Sequence, residues 1–302
     1  LNVSREILQY NKKIANIRSA NVKRVLSLLE DMAKDDADKY QTFWREFGKV
    51  LKEGPGEDFG NKERIAGLLR FASTNSAGDE QTVTLDEYIS RMIADQDKIY
   101  YVSADSSAAA RHSPHLEIFR KKGIEVLLLT DRVDEWLMSH LTEYKGKQLR
   151  SVAKGDLDLG KLSDANQKAQ AEEITKTNKD LLERVKKVLE TKARDVRVSE
   201  RLTESPACLV VDEHDMSAHL TRVLKSMGQQ TAGAAVKPIL ELNLEHPLLK
   251  RLSTETNEQR FADLSNILFD QAILAEGGAL EDPASFVTKL NDLMLGMVLQ
   301  GQ

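Results

Sequence analysis

Cysteine is nearly absent from this sequence. The 302 residues include one cysteine, Cys208, so no disulfide can form within the chain. Structural disulfides are typical of oxidising compartments, so their exclusion favours a reducing one. No apolar run approaches the roughly 20 residues that a membrane helix needs, and the first residues lack the basic-then-apolar order of a signal peptide. We therefore expect a cytoplasmic protein without a membrane partner.

Aromatic residues and excess positive charge are also scarce. Phe, Trp and Tyr make up 5% of the residues, so aliphatic side chains and methionine have to fill the core. The formal net charge of -5 gives no general attraction to nucleic acid. Hydrophobic residues at 41% and charged residues at 30% are typical of a globular protein. The length allows roughly one to three domains.

The motifs of common nucleotide and metal sites are missing. The glycine-rich stretch at 54–60 departs from the dinucleotide fingerprint and lies between predicted helices, and no Walker lysine motif occurs. The pairs His112/His115 and His214/His219 lack supporting cysteine or carboxylate ligands for zinc. No nucleophile and base stand out as a pair, and Cys208 lies in an apolar run typical of an inert core position. Because these motifs are missing, we expect neither a metal site nor a cofactor site in this chain.

The clearest local pattern that is present runs from Lys121 to Leu141. Residues 124–129 are almost all apolar, which is typical of a strand buried on both faces of a parallel sheet. Thr130 or Asp131 is placed to cap a following helix. That helix carries apolar residues at helical spacing. Strand, turn and amphipathic helix predict half of a βαβ unit.

The flanking segments predict an α/β and α+β protein. Helices are predicted over 11–33, 35–51 and 61–71, and further strands over 98–104 and 149–152. A connector at 153–160 and a helix over 161–192 then separate the two parts. The later part is predicted to contain strands at 196–199 and 207–211 joined as a hairpin, a helix at 212–227, a strand at 239–242, and helices at 246–252, 257–275 and 283–299. We expect residues 1–154 to hold a helical segment (1–72) and a small αβα layer domain (73–154), and 155–302 to form an α+β domain ending in a helical hairpin.

The two last predicted helices carry wide apolar stripes. Gly277 and Gly278 close the first helix, and Asp282-Pro283 is a strong start for the second. Two hydrophobic helices at a chain end favour pairing with a second copy in a four-helix bundle, as in a homodimer. The alternative is that both pack only on their own domain. The residues expected at the dimer contact are Phe261, Leu264, Leu268, Phe286, Leu290, Leu293 and Met297.

A second stripe combines methionine and aliphatic residues on the helix predicted over 212–227. Its members are Met216, Leu220, Val223, Leu224 and Met227. Methionine is adaptable and is common on surfaces that accept varied partners, although such a stripe is more often part of a core. Residues 229–237, which follow, are small and polar, so partial exposure of the stripe stays open. On spacing alone, Arg5 is a surface arginine.

Six segments, taken in order, resemble the heat-shock protein 90 chaperone family in its bacterial form. They are LNVSREILQ (1–9), KYQTFWREFGKVLKEG (39–54), LLRFAST (68–74), KIYYVSADS (98–106), SPHLEIFRKKGIEVLLLTDRVDEW (113–136) and DQAILAEGGALEDPASF (270–286). The resemblance covers essentially the whole chain. It implies the later part of a middle domain followed by a C-terminal dimerisation domain, without the N-terminal nucleotide-binding domain. The start at Leu1 rather than Met fits that expectation of a fragment.

The resemblance also implies functional residues. Arg5 matches an arginine that reaches the γ-phosphate of ATP bound in the missing domain, and Gln9 matches its companion; ATP and magnesium belong to the full-length family. Glu135 and Trp136 match a surface that contacts client proteins. A client-contacting amphipathic helix is implied at Met216, Leu220, Val223 and Leu224. The implied partners are a second copy, partly folded clients and co-chaperones, and the fragment alone is not expected to be an enzyme.

Two other functions stay open from the residues themselves. One is an independent α/β enzyme with a small-molecule pocket near the carboxyl ends of the strands predicted at 98–104 and 124–129. The other is a pure dimerisation scaffold without affinity for clients. The enzyme needs a nucleophile and a base in its pocket, whereas the scaffold differs from the chaperone only in lacking a client surface.

Overall fold

The computed structural model describes residues 12–157, 159–162, 165–226 and 237–300, and two separate β-sheets organise these residues. The part up to the connector consists of helices α1 (Lys12–Asp35), α2 (Ala37–Leu51), α3 (Gly54–Glu57), α4 (Lys62–Leu68), α5 (Leu85–Ser90), α6 (Ser107–Arg111), α7 (Glu117–Lys122) and α8 (Val133–His140), and of strands β1 (Ala72–Ser73), β2 (Lys98–Ser103), β3 (Val126–Leu129), β4 (Glu143–Tyr144) and β5 (Lys147–Ser151). The predicted mixed α/β and α+β class is confirmed.

The first sheet has the order β1-β3-β2-β5-β4. Strand β2 pairs in parallel with both β3 and β5, whereas the two-residue edge strands pair antiparallel. Every residue of β3 is buried, so the strand predicted at the centre of this part is confirmed. Helices cover both faces of the sheet, which is why β3 reads as a continuous apolar run rather than an alternating one.

The two faces of this sheet bury different residues. On one face, Leu116 and Phe119 pack near α7 against Tyr100 and Val126. On the other face, Leu137 of α8 joins the helical segment in a core with further large side chains: Tyr40, Trp44, Leu69, Phe71, Leu127 and Leu129. The α1–α4 segment is thus attached to the layer through a shared apolar core.

The later part of the chain has its own three-stranded sheet. It consists of helices α9 (Ala165–Thr177), α10 (Lys179–Val188), α11 (Ala218–Ser226), α12 (Pro247–Ser253), α13 (Glu258–Ala275) and α14 (Pro283–Gln300), and of strands β6 (Asp195–Val198), β7 (Ala207–Val210) and β8 (Ile239–Leu242). Aliphatic residues of α10, α13 and the strands form its core, with Phe261 and Phe269 the largest of them.

Three local predictions in the chain are wrong. Strands β6 and β7 do not form a hairpin, because β8 lies between them, parallel to β6 and antiparallel to β7. The helix predicted over 161–192 is two helices separated at Asn178, whose side chain donates to the Ile174 carbonyl oxygen at 2.9 Å. The cap predicted at Thr130 or Asp131 is absent: Arg132 occupies the N-cap of α8 without a side-chain hydrogen bond.

The loop from Ser199 to Pro206 joins the two parts of the chain. The carboxylate of Glu117, on α7, accepts the backbone N–H groups of Thr203, Glu204 and Ser205 at 2.5, 2.7 and 3.0 Å. In addition, the Ile118 N–H donates to the Arg201 carbonyl oxygen at 3.2 Å. Three successive amides directed at one carboxylate hold this loop in place, so it cannot act as the tight turn of a hairpin.

The same loop inserts a buried cation beneath the connector. The Arg201 guanidinium is fully buried and donates to the carbonyl oxygens of Val152 and Gly155 at 2.5 and 2.8 Å. It also pairs with the Glu241 carboxylate of β8 at 2.8 Å. Beside it, the Gly155 N–H donates to the Val211 carbonyl oxygen at 2.8 Å. The connector is therefore bonded along its length to the second sheet.

The outer edge of β7 is covered by a side chain. The Leu209 N–H, which points away from β8, donates to the Glu276 carboxylate at 2.9 Å. The same carboxylate oxygen lies 3.2 Å from Nε2 of the buried His115. Glu276 follows directly after α13, so the end of this helix is tied to the strand edge and to the first part of the chain.

A buried ion cluster positions α8. Lys52 Nζ lies 2.9 Å from Asp131 Oδ2 and 2.7 Å from Asp134 Oδ1, and the lysine side chain is 1% exposed. Asp134 Oδ2 in turn accepts the Asp131 N–H at 2.9 Å. Burial raises the pKa of Asp134, although Lys52 opposes the shift. The cluster joins the end of α2 to the start of α8 and explains why Asp131 is not available as a helix cap.

Replacing Lys52 by methionine should strongly destabilise the fold. The substitution keeps the apolar stem but leaves the buried Asp134 carboxylate without its cation, which costs about 3–5 kcal/mol. Lys49→Met is the matched control, because Lys49 lies 3.3 Å from Asp131 yet is 77% exposed, and exposed pairs contribute about 0–1 kcal/mol. Urea unfolding of both variants measures the difference, and equal losses would contradict the role assigned to the cluster.

Candidate functional site

Helix α8 presents two different faces at the junction of the two parts. Leu137 and Met138 point into the first core, because they lie on the stripe that faces the sheet. Trp136 is 44% exposed although it is one of the largest apolar side chains of the chain. Phe47 and Phe59 are more exposed still, so exposure alone does not mark a binding surface. On α8, Trp136 is the large apolar side chain that a partner could contact.

The indole of Trp136 is held in place by its neighbours. The His140 ring lies 4.0 Å away, centroid to centroid, one helical turn further along α8. A Cβ atom at Gly56 would lie 3.0 Å from Trp136 Nε1 and 3.0 Å from His140 Cγ, so only glycine allows α3 to approach this closely. The exposed indole is thus a fixed surface feature.

Glu135 points away from solvent, toward the second part of the chain. Its carboxylate accepts a hydrogen bond from Ser217 Oγ at 2.8 Å and lies 3.0 Å from His219 Nδ1. Burial acts to raise the pKa of Glu135, but the hydrogen bonds from His219 and Ser217 outweigh it and hold this pKa below its ordinary value. The residue predicted to contact clients therefore ties α8 to the start of α11.

The four predicted client-binding residues around α11 differ in exposure. Met216 is 39% exposed, Leu220 and Leu224 are half-buried, and Val223 is buried. Ser217 caps the helix, since its Oγ accepts the Leu220 N–H at 2.8 Å. The helix begins several residues later than predicted because Asp212 to Ser217 form a turn and this cap. The stripe is thus exposed at Met216, before the helix, and partly or fully buried along the helix.

A cleft of about 670 Å³ separates α8 from the segment that leads into α11. Its walls include Glu135, Met138 and Ser139 on one side, and Glu213, His214 and Leu220 on the other. Its floor is formed by β5 and the connector, including Lys154. Burial lowers the pKa of Lys154, whose Nζ donates to the Asp215 carbonyl oxygen at 2.7 Å. The cleft combines apolar walls with backbone and charged groups, as peptide-binding grooves do.

A second cleft, of about 430 Å³, opens at the carboxyl ends of β2 and β5, whereas the enzyme alternative expected a pocket at the ends of β2 and β3. Its histidines face carboxylates: His115 lies 3.2 Å from Glu276, and His219 lies between Glu135 and Asp105. In this cleft no hydroxyl is bonded to a histidine among the residues that the structure describes. The pairing of nucleophile and base that the enzyme alternative requires is not assembled there.

Arg5 and Gln9 lie outside the described residues. Within the described ranges no cluster of His, Cys, Asp and Glu could hold a metal ion. In those same ranges no helix is long and apolar enough to cross a membrane. The sequence analysis missed Ser217 and Asp105, and it examined His219 only as a zinc ligand, because the carboxylates that approach this ring come from distant segments.

The predicted dimer residues divide between core and surface. Phe261 and Leu268 are buried in the core of their own domain, so they present no surface to a second copy. Leu264 is partly buried against the same core. On α14, Phe286, Leu290 and Leu293 are half-buried, and the side chain of Met297 lies outside the described part. The same helix exposes further apolar side chains that were not singled out: Val287, Met294 and Leu295.

The whole sequence matches known proteins. A family model described as Hsp90 protein matches residues 1–300. The chain is 60% identical over 298 residues to chaperone protein HtpG of Methylococcus capsulatus, 59% over 297 residues to that of Nitrosococcus oceani, and 58% over 306 residues to that of Nitrosomonas europaea. These alignments cover 98–100% of the chain but 46–47% of the relatives, so it spans about half their length. The chain belongs to the Hsp90 protein family.

Proposed function

We propose that this chain is part of a molecular chaperone and binds partly folded client polypeptides at the junction between α8 and α11. The observation that carries this proposal is that α8 and the segment before α11, which line the same cleft, each bear an exposed apolar side chain outside it: Trp136 on α8 and Met216 before α11. Partly folded proteins expose apolar side chains beside unpaired backbone groups. A surface that mixes apolar and polar groups fits both. The name chaperone protein, which the relatives carry, supports the same function.

The domain organisation that we propose follows the sheets. Residues 1–154 supply a helical segment and the layer that bears Trp136, and residues 155–302 supply the domain that bears Met216 and the final helices. The core of residues 155–302 is separate from the two apolar clusters of the first part, which supports a boundary at the connector. The client surface then lies where the two domains meet, so its shape depends on their relative placement.

We further propose that α14 mediates a homodimer. It is an 18-residue helix that packs against α13 and still exposes Val287, Met294 and Leu295. A helical hairpin with such a face buries it by pairing with an identical hairpin, which gives a four-helix bundle with twofold symmetry. Phe286, Leu290 and Leu293, which are half-buried in one copy, would complete that contact.

In the whole protein, we propose that Arg5 and Gln9 assist ATP hydrolysis in a domain outside this sequence. An arginine fork matches the oxygens of a transferring phosphoryl group and stabilises the charge that develops there. ATP and magnesium would be bound by that other domain. This role rests on the match of the first nine residues to the family pattern, and it leaves the chain alone without enzymatic activity of its own.

Substitutions at the two exposed apolar residues should weaken client binding without unfolding the chain. Trp136→Arg and Met216→Lys each place a charge where an apolar contact is proposed, and we expect a loss of affinity for an unfolded model protein of about tenfold or more. Leu248→Lys is the matched control, because Leu248 is 39% exposed, as Met216 is, but lies on α12. Fluorescence anisotropy with a labelled unfolded protein measures the affinity. Equal effects of all three substitutions would contradict the site.

Charged substitutions on α14 should dissociate the dimer. Light scattering of the unaltered chain should give twice the protomer mass of 33.9 kDa, and Leu290→Glu combined with Leu293→Glu should shift the mass toward the protomer. Thr288→Glu is the control, since Thr288 is exposed on the same helix and makes only a local hydrogen bond to the Ala284 carbonyl oxygen. A monomer at all concentrations of the unaltered chain would refute the proposal.

Arg5→Ala in the full-length protein should slow ATP hydrolysis while nucleotide affinity stays nearly the same. An interaction made only in the transition state lowers kcat without a matching change in ground-state binding. Loss of one stabilising charge of this kind reduces the rate by about 100-fold or more. Steady-state hydrolysis and nucleotide titration together provide the test, with Arg18→Ala as a control on α1. An equal loss of affinity and of rate would indicate a binding role instead.

A further inference from the structure

The second cleft, of about 430 Å³, has walls from both parts of the chain, and more of its surface is apolar than polar. Its apolar walls include Val102, Ala104 and Ala109 from the first part and Leu209, Val211 and Ile273 from the second. Sites for small molecules are concave, mostly apolar and about 300–1,000 Å³ in volume, with a few polar groups that orient the ligand. The cleft therefore has the size and the walls of a site for a small molecule.

Two buried polar side chains that line this cleft lack hydrogen-bond partners. His115 is 2% exposed, and its Nδ1 bonds to none of the described residues. Ser113 is 5% exposed, and its hydroxyl likewise makes no hydrogen bond within the described part of the chain. Most buried polar groups in folded proteins are bonded, and an unbonded one costs about 1–3 kcal/mol. These two groups, two positions apart between α6 and α7, indicate a ligand that bonds to them.

The other nitrogen of the His115 ring limits what such a ligand can be. His115 Nε2 lies 3.2 Å from Glu276 Oε1. An ionised carboxylate can only accept, so Nε2 carries a proton, and Nδ1 of the neutral ring then offers a lone pair. That lone pair requires a donor, whereas the Ser113 hydroxyl can donate or accept. A ligand head group with an O–H or N–H fits both.

The charges around the cleft favour an uncharged ligand. Lys154 and Arg222 carry positive charge there, and Glu135 and Glu276 carry negative charge, so these charges cancel. Most of them already have partners: Arg222 donates to Asp105 at 2.7 Å, and both glutamate carboxylates accept hydrogen bonds within the protein. Taking a charged group out of water into this cleft would cost free energy that no unpaired carboxylate or net charge returns.

We propose that the second cleft is a binding site for a small uncharged molecule with an apolar body and a hydroxyl or N–H head group. The body packs between the apolar walls, and the head group bonds to Ser113 and His115. The site requires both parts of the chain, because its apolar walls come from both. It does not require the proposed client-binding function, since neither Ser113 nor His115 belongs to that surface.

Three related probes test the chemical class in equilibrium dialysis with the full chain. Naphthol has the apolar body and a hydroxyl, methoxynaphthalene cannot donate a hydrogen bond, and naphthoate carries a negative charge. We expect naphthol to bind about tenfold more tightly than methoxynaphthalene, because only naphthol satisfies the His115 lone pair. Naphthoate should bind more weakly than naphthol. No binding of naphthol, equal affinity for naphthol and its methyl ether, or preference for naphthoate would overturn the inference.

Substitutions in the walls test the location. Ala109→Phe places a ring in the cleft and should weaken naphthol binding about tenfold or more, whereas Ala108→Phe, at an exposed position of the same short helix, should leave it unchanged. Equal affinities of these two variants would contradict the site.

A change without added bulk provides an independent test. Ser113→Ala should reduce the affinity for naphthol about threefold, because one hydrogen bond to the head group is lost. It should not lower the melting temperature of the free chain, since this hydroxyl has no partner to lose within the described residues. A lower melting temperature combined with unchanged naphthol affinity would show that the hydroxyl serves the fold and would refute its role in binding.

Discussion

The arrangement of this chain depends on how one loop is bonded to the other half of the molecule. Residues 199–206 direct three successive amide groups at the Glu117 carboxylate and insert the Arg201 guanidinium beneath the connector. A buried guanidinium is tolerated only when its donors find acceptors, and here Glu241 and two carbonyl oxygens supply them. Because these partners come from both parts of the chain, neither part can rotate against the other without leaving a buried charge unpaired.

This connection fixes the relative positions of α8 and the segment before α11 at the candidate site. With the connector bonded to the second sheet, α8 and the segment before α11 face each other across the larger cleft. The exposed Trp136 lies on α8 and the exposed Met216 on the segment before α11, and the contact of Glu135 with His219 joins the two elements. The proposed client surface is therefore a property of the junction. It is absent from either domain taken alone.

The sequence predicted most of the secondary structure and the parallel pairing in the first sheet, because β3 is a short apolar run covered by helices on both faces. The prediction from sequence failed where the local structure depends on a residue that is distant in the chain. Asp131 looks like a helix cap, but the buried Lys52 attracts its carboxylate. Strands β6 and β7 look like a hairpin, but the loop between them bonds to Glu117, and β8 enters from a later segment.

The same limit applies to the site. The apolar spacing around α8 and α11 and the family resemblance identified Trp136 and Met216, and the structure leaves both exposed. Spacing cannot separate Val223, which is buried, from Leu220, which lines the cleft. It also placed Phe261 at a dimer contact, whereas burial assigns this residue to the core of its own domain. The partners of His219 are about 84 and 114 positions away in sequence, so no local pattern could have predicted them.

The Glu276 carboxylate at the outer edge of β7 also affects how that edge can pair with other chains. A strand with an open edge recruits extended segments of other chains, and this is a common route to aggregation. A protein proposed to hold partly folded polypeptides meets such segments continually. By occupying the Leu209 amide, Glu276 removes a hydrogen-bond donor from that edge and leaves a negative charge in its place. A bound polypeptide would then contact side chains and could dissociate, because it could not pair with β7 as an added strand.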